Sequence, residues 1–478
     1  MSTLAFFRTS LAGAALLACA CGPLSSSHDD HDHDHDHETL PTTYSFARED
    51  GSTVSHSGQT MRHVLLLGLK KHIGGLTARI DNDNFVPTAG DIVSELNFFF
   101  DYSETDGEGI AHTVLADDDA ATPPALQTYY NDLNTKNLKS KLAGNDAKGQ
   151  HKDWTSDFIG WTVDNAAPTP EALVLHWFDR IETLAIDRAN GTIGLDPAGA
   201  ALTSASVTPE GLDLAQLTQK FLLAAVTFSQ GADDYLDDDI EGQGLNSSNI
   251  LTEGKTYTAL EHGWDEGFGY FGAAHNYGDY TDDEIAGKGG RDGWSKGYHD
   301  TNGDGKIDLI GEMNYGHSIN AAKRDRKHST DMTQDAFDAF VKGRFIIHNA
   351  KGELTDDEMK RLKEQRDIAV AAWEKAIAAT AIHYINDVMG DMNASEADYN
   401  FYNHAKHWSE LKGFALSFQF NPRSPLDAAA FQQLHAKLGE APVLPGQAGF
   451  DTYKTTLIEA RDMLKTAYAF SEDDVTNW

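Results

Sequence analysis

Cysteine is nearly absent from this 478-residue sequence, which contains only Cys19 and Cys21. The rest of the chain therefore offers no thiol for a disulfide, a thiolate nucleophile or a cysteine metal site. Long apolar runs are also lacking. No segment after residue 20 has the roughly 18 uninterrupted apolar residues of a membrane-spanning helix. We therefore predict no transmembrane helix in the remainder of the chain.

The N-terminus has the pattern of a lipoprotein signal peptide. Arg8 precedes an apolar stretch from Leu11 to Ala20, which is too short to cross a bilayer but suits a signal peptide. Leu16-Leu17-Ala18-Cys19 resembles a lipobox, and Cys21 fits that pattern less well. We predict a signal peptide over 1–18, acylation of Cys19 or Cys21, and export. The lipid anchor would hold the chain at the outer membrane, facing the periplasm or the surface.

Basic residues are scarce, with 38 lysines and arginines against 74 acidic residues and a net charge of -36. Such a charge repels nucleic acid and favours cations. The sequence also has no Gly-x-Ser-x-Gly elbow, phosphate loop, dinucleotide fingerprint or His-Glu-x-x-His helix. We therefore expect no nucleic-acid partner. We favour a protein without enzymatic activity, and metallopeptidase activity is a minor alternative.

A His/Asp-rich segment follows the cysteines. It has no apolar residue to bury, so residues 19–43 are predicted to form a disordered tether. Imidazole is a good ligand for zinc and other transition metals, and the alternative is a polar spacer without a metal function. The candidate ligands of the tether are His28, His31, His33, His35 and His37.

Apolar residues spaced by threes and fours predict helices through most of residues 44–478. The clearest pattern runs from Thr355 to Met389. Strand-like alternation is confined to short extended pieces around residues 44–55. The sequence therefore predicts an all-α fold, as one helical-bundle domain or two fused bundles with a boundary near 231–250. A Gly/Asp-rich insertion lies within 231–316. The other predicted helices begin near 59 and span 170–187, 209–230, 398–418 and 450–470.

The insertion contains a calcium-loop motif. Oxygen-bearing side chains alternate through a Gly-containing turn, as in loops that supply Ca²⁺ with six to eight oxygen ligands. Gly311 occupies the twelfth position, where such a loop usually has its bidentate Glu, and Glu312 comes one residue later. We predict a structural calcium site. Its candidate ligands are Asp300, Asn302, Asp304, Lys306 through its carbonyl, Asp308 and Glu312.

Three predicted helices carry a histidine near a carboxylate. Residues three or four positions apart share a helix face, and helical bundles present metal ligands to their core in this way. His383 and Asp387 form one such pair, and His317 is a further candidate. For each histidine the alternative is a structural role. The candidate transition-metal ligands are Glu261, His262, Asp265, Glu266, His383, His404, His407 and Glu410.

Three segments resemble a bacterial exported lipoprotein family of unknown function: Ser57-Gly58-Gln59, Glu261 to Gly272, and His407 to Pro422. The chain is also distantly similar to imelysin-like proteins. That resemblance implies a helical-bundle fold, a link to iron or other metal uptake, and an outer-membrane receptor or imelysin-like protein as partner. The imelysin motif is Gly-x-His-x-x-Glu; here Asp265 stands at the Glu position and no Gly lies two residues before His262.

Two functional hypotheses follow. The first is a lipoprotein that binds zinc or iron for uptake or handover and also holds a structural calcium ion. The second is a calcium-stabilised surface adhesin or receptor partner without transition-metal chemistry. The two differ in whether His262, His407 and Glu410 are needed for function.

Overall fold

The computed structural model describes residues 39–49, 51–115, 122–146, 150–395 and 397–478. The signal peptide, both cysteines and the five tether histidines predicted above lie outside the described residues. From Leu40 to Trp478 the chain forms one compact unit. No helix among the described residues is long and apolar enough to cross a membrane.

Helices dominate the described chain, which confirms the predicted all-α fold. Two strands, β1 (Ala47–Arg48) and β2 (Gly51–Ser52), pair antiparallel. The helices are α1 (Ser57–Asn82), α2 (Asp91–Phe100), α3 (Tyr130–Leu133), α4 (Pro170–Ala189), α5 (Leu214–Leu222), α6 (Ala259–Phe271), α7 (Asp282–Ile285), α8 (Gly316–Asp325), α9 (Met332–Asn349), α10 (Asp356–Asn393), α11 (Phe401–Ala415), α12 (Ala428–Leu438), α13 (Phe450–Tyr468) and α14 (Glu472–Asn477).

The longest helix, α10, lies at the centre of the packing. It contacts α8, α9, α11, α13 and α14. Its N-terminus is fixed by a capping box, in which Thr355 and Glu358 each bond the backbone N–H of the other. Trp373, Ile377 and Val388 are fully buried along its length, so it presents apolar side chains to several neighbours. A helix surrounded in this way positions the polar residues on its remaining open face.

Helix α5 begins at Asp213, whose carboxylate accepts hydrogen bonds from the backbone N–H groups of Ala215 and Gln216. It continues without a break into two π-helical segments, Leu223–Phe228 and Gly231–Tyr235. Nearly every residue of these segments is buried. π-helical turns are rare, and they hold one more residue per hydrogen-bonded ring than α-helical turns.

Helix α6 carries the Glu-His-Gly-Trp-Asp-Glu segment. Thr258 and Glu261 form a capping box at its N-terminus, and Gly272 ends it with a φ of 85°, which is in the left-handed region. Trp264 is fully buried and donates a hydrogen bond of 2.9 Å to the carbonyl of Phe340 on α9. The segment therefore lies inside the packed core, against α9.

The contact between α6 and α9 predicts opposite effects for two glycine substitutions. A Cβ at Gly343 would lie 2.0 Å from Cζ2 of Trp264, whereas a Cβ at Gly74 within α1 would meet no atom within 4 Å. Gly343→Ala should therefore lower the free energy of unfolding by about 1–3 kcal/mol. Gly74→Ala should raise it by up to about 1 kcal/mol, because alanine favours a helix interior. Urea unfolding of the two variants measures both effects, and equal effects would contradict the packing described here.

Candidate metal centre

Helices α10 and α11 bring two histidines and two aspartates together at one surface. His383, Asp387 and Asp391 follow one another at four-residue intervals, so they share a face of α10. His407 faces them from α11. The Nε2 atom of His383 lies 3.2 Å from Oδ2 of Asp387, and Nε2 of His407 lies 3.8 Å from the same oxygen. Nδ1 of His407 lies 2.8 Å from Oδ2 of Asp391. We call these four residues the His/Asp cluster.

The hydrogen bond between His407 and Asp391 fixes the orientation of the imidazole. With Nδ1 bound to Asp391, Nε2 of His407 faces Asp387. Many metal sites use the same arrangement, in which a carboxylate outside the ligand set holds a histidine by its second nitrogen. His383 and Asp387 remain about a third exposed, at 27% and 34%. An ion therefore has access to the cluster from solvent.

The surroundings shift the pKa values of the cluster in different directions. Burial acts to lower the pKa of His407, but the hydrogen bond and charge of Asp391 outweigh it and raise the pKa. Burial, together with the charge of Arg324, lowers the pKa of His383 to about 3. Burial raises the pKa of Asp387. His383 is therefore neutral at physiological pH, the state in which an imidazole binds a metal.

The other two candidates on α11 have different partners. His404 is buried, its Nδ1 lies 3.1 Å from the hydroxyl of Tyr399, and burial lowers its pKa to about 4. Glu410 is 4% exposed, and its Oε1 lies 3.4 Å from Nζ of Lys220. Both residues lie beside the His/Asp cluster without joining it.

On α6, Glu261 and Asp265 are bound by a buried arginine. Arg344 of α9 donates from Nη1 to Glu261 at 2.6 Å and from Nε to Asp265 at 2.8 Å. Arg48 forms a two-point contact with Glu261 at 2.7 and 2.9 Å, and the hydroxyl of Tyr44 donates to Asp265 at 2.7 Å. We call these five residues the Arg344 network. Its carboxylates already have cationic partners, so they form a structural ion-pair network here and are not free to ligate a metal.

The charges of the network fix the ionisation of Glu261. Burial would raise the pKa of its carboxyl, but hydrogen bonds from His348 and Arg48 and the charge of Arg344 hold the pKa well below its usual range. Glu261 is therefore ionised at any physiological pH. A buried ionised carboxylate of this kind is held by its partners and stabilises only while they remain.

His262 and Glu266 lie at the edge of the same helix. Nδ1 of His262 lies 3.1 Å from the carbonyl oxygen of Ser55, and its ring stacks on Tyr257. Nε2 of His262 is 3.8 Å from Glu266, which accepts a hydrogen bond from Gln59. The predicted single centre is thus divided: the α6 residues form one group, and the α10 and α11 residues form another with its own partners.

The calcium-loop motif folds into a tight turn closed by its own hydrogen bonds. Asp300 accepts from the backbone N–H groups of Gly303, Asp304 and Gly305, at 2.7 to 3.1 Å. Asn302 accepts from Asp304 at 2.8 Å. Alternate side chains therefore point back into the turn, as the motif requires.

Two of the predicted calcium ligands are already bonded elsewhere. Glu312 accepts hydrogen bonds from Thr301 and Asn302 through Oε1 and from Asp308 through Oε2. The side chain of Asp308 accepts from Gln127 at 2.8 Å. Glu312 therefore closes the loop by accepting hydrogen bonds from its N–H groups with both carboxylate oxygens. Near the end of the loop, Ile307 forms a backbone β-bridge with Ala125.

Among the described residues, the carboxylates of Asp237, Asp238 and Asp239 lie within 4.8 Å of one another. Arg423 binds Asp237, while Lys363 and Arg366 bind Asp238. Protein cations thus already neutralise this group.

A family model described as "Domain of unknown function (DUF4856)" matches residues 41–441. The chain belongs to the DUF4856 family. This confirms the resemblance to a family of unknown function. The matched range contains the His/Asp cluster, the Arg344 network and the calcium-loop motif of this DUF4856 member. No curated protein and no solved structure matches the chain.

Asp391 was not among the predicted ligands, although it lies on the same helix as His383. In the sequence, Asp391 follows His383 by eight residues. This interval is two four-residue helical repeats, so the two side chains share a face of the helix. A second omission is the pair His56 and His275, whose Nε2 atoms lie 2.8 Å apart in the core. They are 219 residues apart in sequence, so no local pattern relates them.

The Arg344 network predicts a test of structural against ligand roles on α6. Arg344→Leu leaves Glu261 and Asp265 buried without their shared cation, so the free energy of unfolding should fall by about 3–5 kcal/mol. His262→Ala removes a side chain that is 35% exposed and should change it by less than about 1 kcal/mol. Urea unfolding followed by circular dichroism measures both. A larger loss for His262→Ala would show that the histidine, and not the arginine, organises this helix.

Proposed function

We propose that this DUF4856 member is a metal-binding protein whose transition-metal site is the His/Asp cluster. His383, Asp387 and His407 would supply the ligands, and Asp391 would orient His407. The observation that carries the proposal is the approach of both Nε2 atoms to one oxygen of Asp387. The other ring nitrogen of His407, Nδ1, is held by Asp391. Two imidazoles and a carboxylate suit zinc or iron, and they leave a coordination position open.

The N-terminal features fit the same proposal. The chain would be exported and anchored at the outer membrane through an acylated Cys19 or Cys21. The His/Asp-rich tether would then offer several weak, exchangeable sites in the same chain as the His/Asp cluster. Weak sites joined to a stronger one in a single chain suit the collection of an ion and its handover to a receptor or an imelysin-like partner.

The metal proposal is tested on the full chain with its five tether histidines replaced by serine, so that the tether contributes no imidazole ligand. Isothermal titration calorimetry with Zn²⁺ and with Fe²⁺ should show one site per chain. Asp391→Asn should weaken binding roughly 10-fold to 100-fold, because it removes the group that orients His407. His407→Ala should abolish it.

The matched control is His72→Ala. His72 is also a partly exposed histidine paired with a carboxylate, since its Nε2 lies 2.8 Å from Glu95. Its replacement should leave the dissociation constant unchanged. Equal loss in the control and in His407→Ala, or binding that survives His407→Ala, would rule out the His/Asp cluster as the site.

We also propose that the calcium-loop motif binds one calcium ion with a structural role. The inward-pointing side chains of Asp300, Asn302 and Asp304 support this, since they present oxygens on one side of a tight turn. Glu312 would act by closing the loop, and water would complete the coordination. Because Ile307 pairs with residue 125, the calcium-bound loop would fix the insertion to the segment that precedes α3.

Calcium should therefore raise the thermal stability of the protein. Adding Ca²⁺ to chelated protein should increase Tm, and Asp304→Ala should remove most of that increase, because it deletes a carboxylate that Ca²⁺ would contact. Asp292→Asn, at an exposed aspartate of the same insertion, should keep the full increase. Differential scanning calorimetry measures both, and an equal response of the two variants would contradict the site.

A further inference from the structure

A polar cavity of about 490 Å³ lies beside the calcium-loop motif. Thr43 and Ser45 line it from the segment that precedes α1, His275 and Asn276 from the connection after α6, and Asp308 from the end of the loop. All but two of the described residues that line it carry a carboxylate, an amide, an imidazole or a hydroxyl, and none of them is a lysine or an arginine. The cavity thus differs from the mostly apolar pockets in which proteins usually hold small molecules.

Gly311 makes room at one wall of this cavity. The backbone N–H of His275 donates to the carbonyl of Gly311 at 2.8 Å. A Cβ at Gly311 would lie 3.0 Å from Nδ1 of His275 and 3.5 Å from Oδ2 of Asp308. A glycine at the twelfth position of the motif, where a calcium loop usually has Glu, therefore lets this imidazole and this carboxylate lie at the same wall.

His275 and Asp308 are each held by one atom and keep another for a ligand. Nε2 of His275 lies 2.8 Å from Nε2 of His56. Oδ1 of Asp308 accepts hydrogen bonds from the side chain of Gln127 at 2.8 Å and from the N–H of Ile310 at 3.0 Å. Within the described chain, no hydrogen bond is made by Nδ1 of His275 or by Oδ2 of Asp308. Both side chains are therefore oriented in advance, with a polar atom still available.

Asn276 lines the same cavity and has an unusual environment. It is 7% exposed, and neither its Oδ1 nor its Nδ2 has a hydrogen-bond partner among the described residues. The three other buried asparagines there, Asn249, Asn314 and Asn421, all donate to protein acceptors. A buried amide without partners is costly, so its presence at a cavity wall indicates a group supplied from outside the chain.

The lining determines the chemistry that this group must have. The carboxylates of Asp279 and Asp308 require hydrogen-bond donors, whereas the amide of Asn276 requires both a donor and an acceptor. An anion is disfavoured, because no cationic side chain lines the cavity and the chain has a net charge of -36. An ammonium group only donates and leaves the amide N–H groups unpaired. A hydroxyl both donates and accepts, so several hydroxyls on one molecule satisfy the whole set.

We propose that this cavity binds a neutral polyhydroxy ligand, a sugar, through hydrogen bonds to Asn276, Asp279 and Asp308. Its volume accommodates a monosaccharide. The proposal goes beyond metal binding, since the His/Asp cluster takes no part in it. It does not depend on bound calcium either, because Asp300 and Asp304 of the proposed calcium site do not line the cavity.

The test is saturation-transfer difference NMR of the full chain, with D-glucose, D-galactose, D-mannose and N-acetyl-D-glucosamine as separate probes. Ca²⁺ is present throughout, so that the state of the loop is constant. At least one sugar should receive saturation and titrate as one site per chain. Cyclohexanol, which has a six-membered ring with a single hydroxyl, should receive none. Binding of ethanolamine without binding of any sugar would instead identify an ammonium site and overturn the proposal.

Asn276→Leu and Asp279→Ala should each weaken sugar binding roughly tenfold or more, as the loss of a hydrogen bond in a site built for it requires. The side chain of Asp279 is exposed and has no partner among the described residues, so its loss leaves the fold intact. The matched control is Asp292→Ala, at an exposed aspartate of the same insertion that does not line the cavity. It should bind the sugar as the wild type does.

Thermal unfolding separates a ligand role for Asn276 from a structural one. Asn276→Leu removes a buried amide without partners, so its Tm without sugar should be no lower than that of the wild type. Asn249→Leu should lower Tm, because that amide bonds two backbone carbonyls. Added sugar should raise the Tm of the wild type and of Asp292→Ala, but not that of Asn276→Leu.

Three results would overturn the proposal. The first is that no sugar of the panel binds. The second is that Asn276→Leu and Asp279→Ala both bind sugar like the wild type. The third is a fall in Tm for Asn276→Leu as large as that for Asn249→Leu, because the amide would then be needed within the fold and not for a ligand.

Discussion

The fold of residues 40–478 depends on how the protein satisfies a buried arginine. Arg344 has no exposed surface, yet it connects α9 with α6 and with the segment that precedes α1, through Glu261, Asp265 and the hydroxyl and carbonyl of Thr53. Burying the two carboxylates costs their hydration, and the hydrogen bonds from the guanidinium offset this cost only in the observed geometry. The network therefore fixes the depth and rotation of α6, and with it the aromatic core around Trp264 and Phe268.

The same network shows what the sequence could not predict. Glu261, His262 and Asp265 have the spacing of metal ligands on a helix, and the helix is present. Their partner, Arg344, lies 79 to 83 residues later in the chain, and no local pattern connects them. Spacing reveals which side chains share a face, but it does not reveal what the face meets. A carboxylate aimed at an arginine and one aimed at a metal look alike in sequence.

For helix α10, in contrast to α6, the sequence predicted both the helix and one of its polar pairs. Its apolar spacing predicted a long helix, and the pairing of His383 with Asp387 followed directly from that periodicity. The contact with His407 required α10 and α11 to lie side by side, which the short connection between them favours. Asp391 lies one helical repeat beyond Asp387, and its role in orienting His407 depends on the packing of α11 against α10, which the spacing within α10 does not show.

The π-helical turns that follow α5 have a consequence for how this chain tolerates change in length. Successive residues of an α-helix are rotated by about 100°, so each wide turn advances the phase of everything after it. Within the second segment, Asp233 contacts His151 and Asp234 approaches Lys141. Deleting one residue from Leu223–Phe228 would restore an ordinary turn there but rotate both carboxylates around the helix axis, away from those partners. The π-helical turns thus set the orientation of Asp233 and Asp234. The length of this stretch of chain is therefore constrained as tightly as its composition.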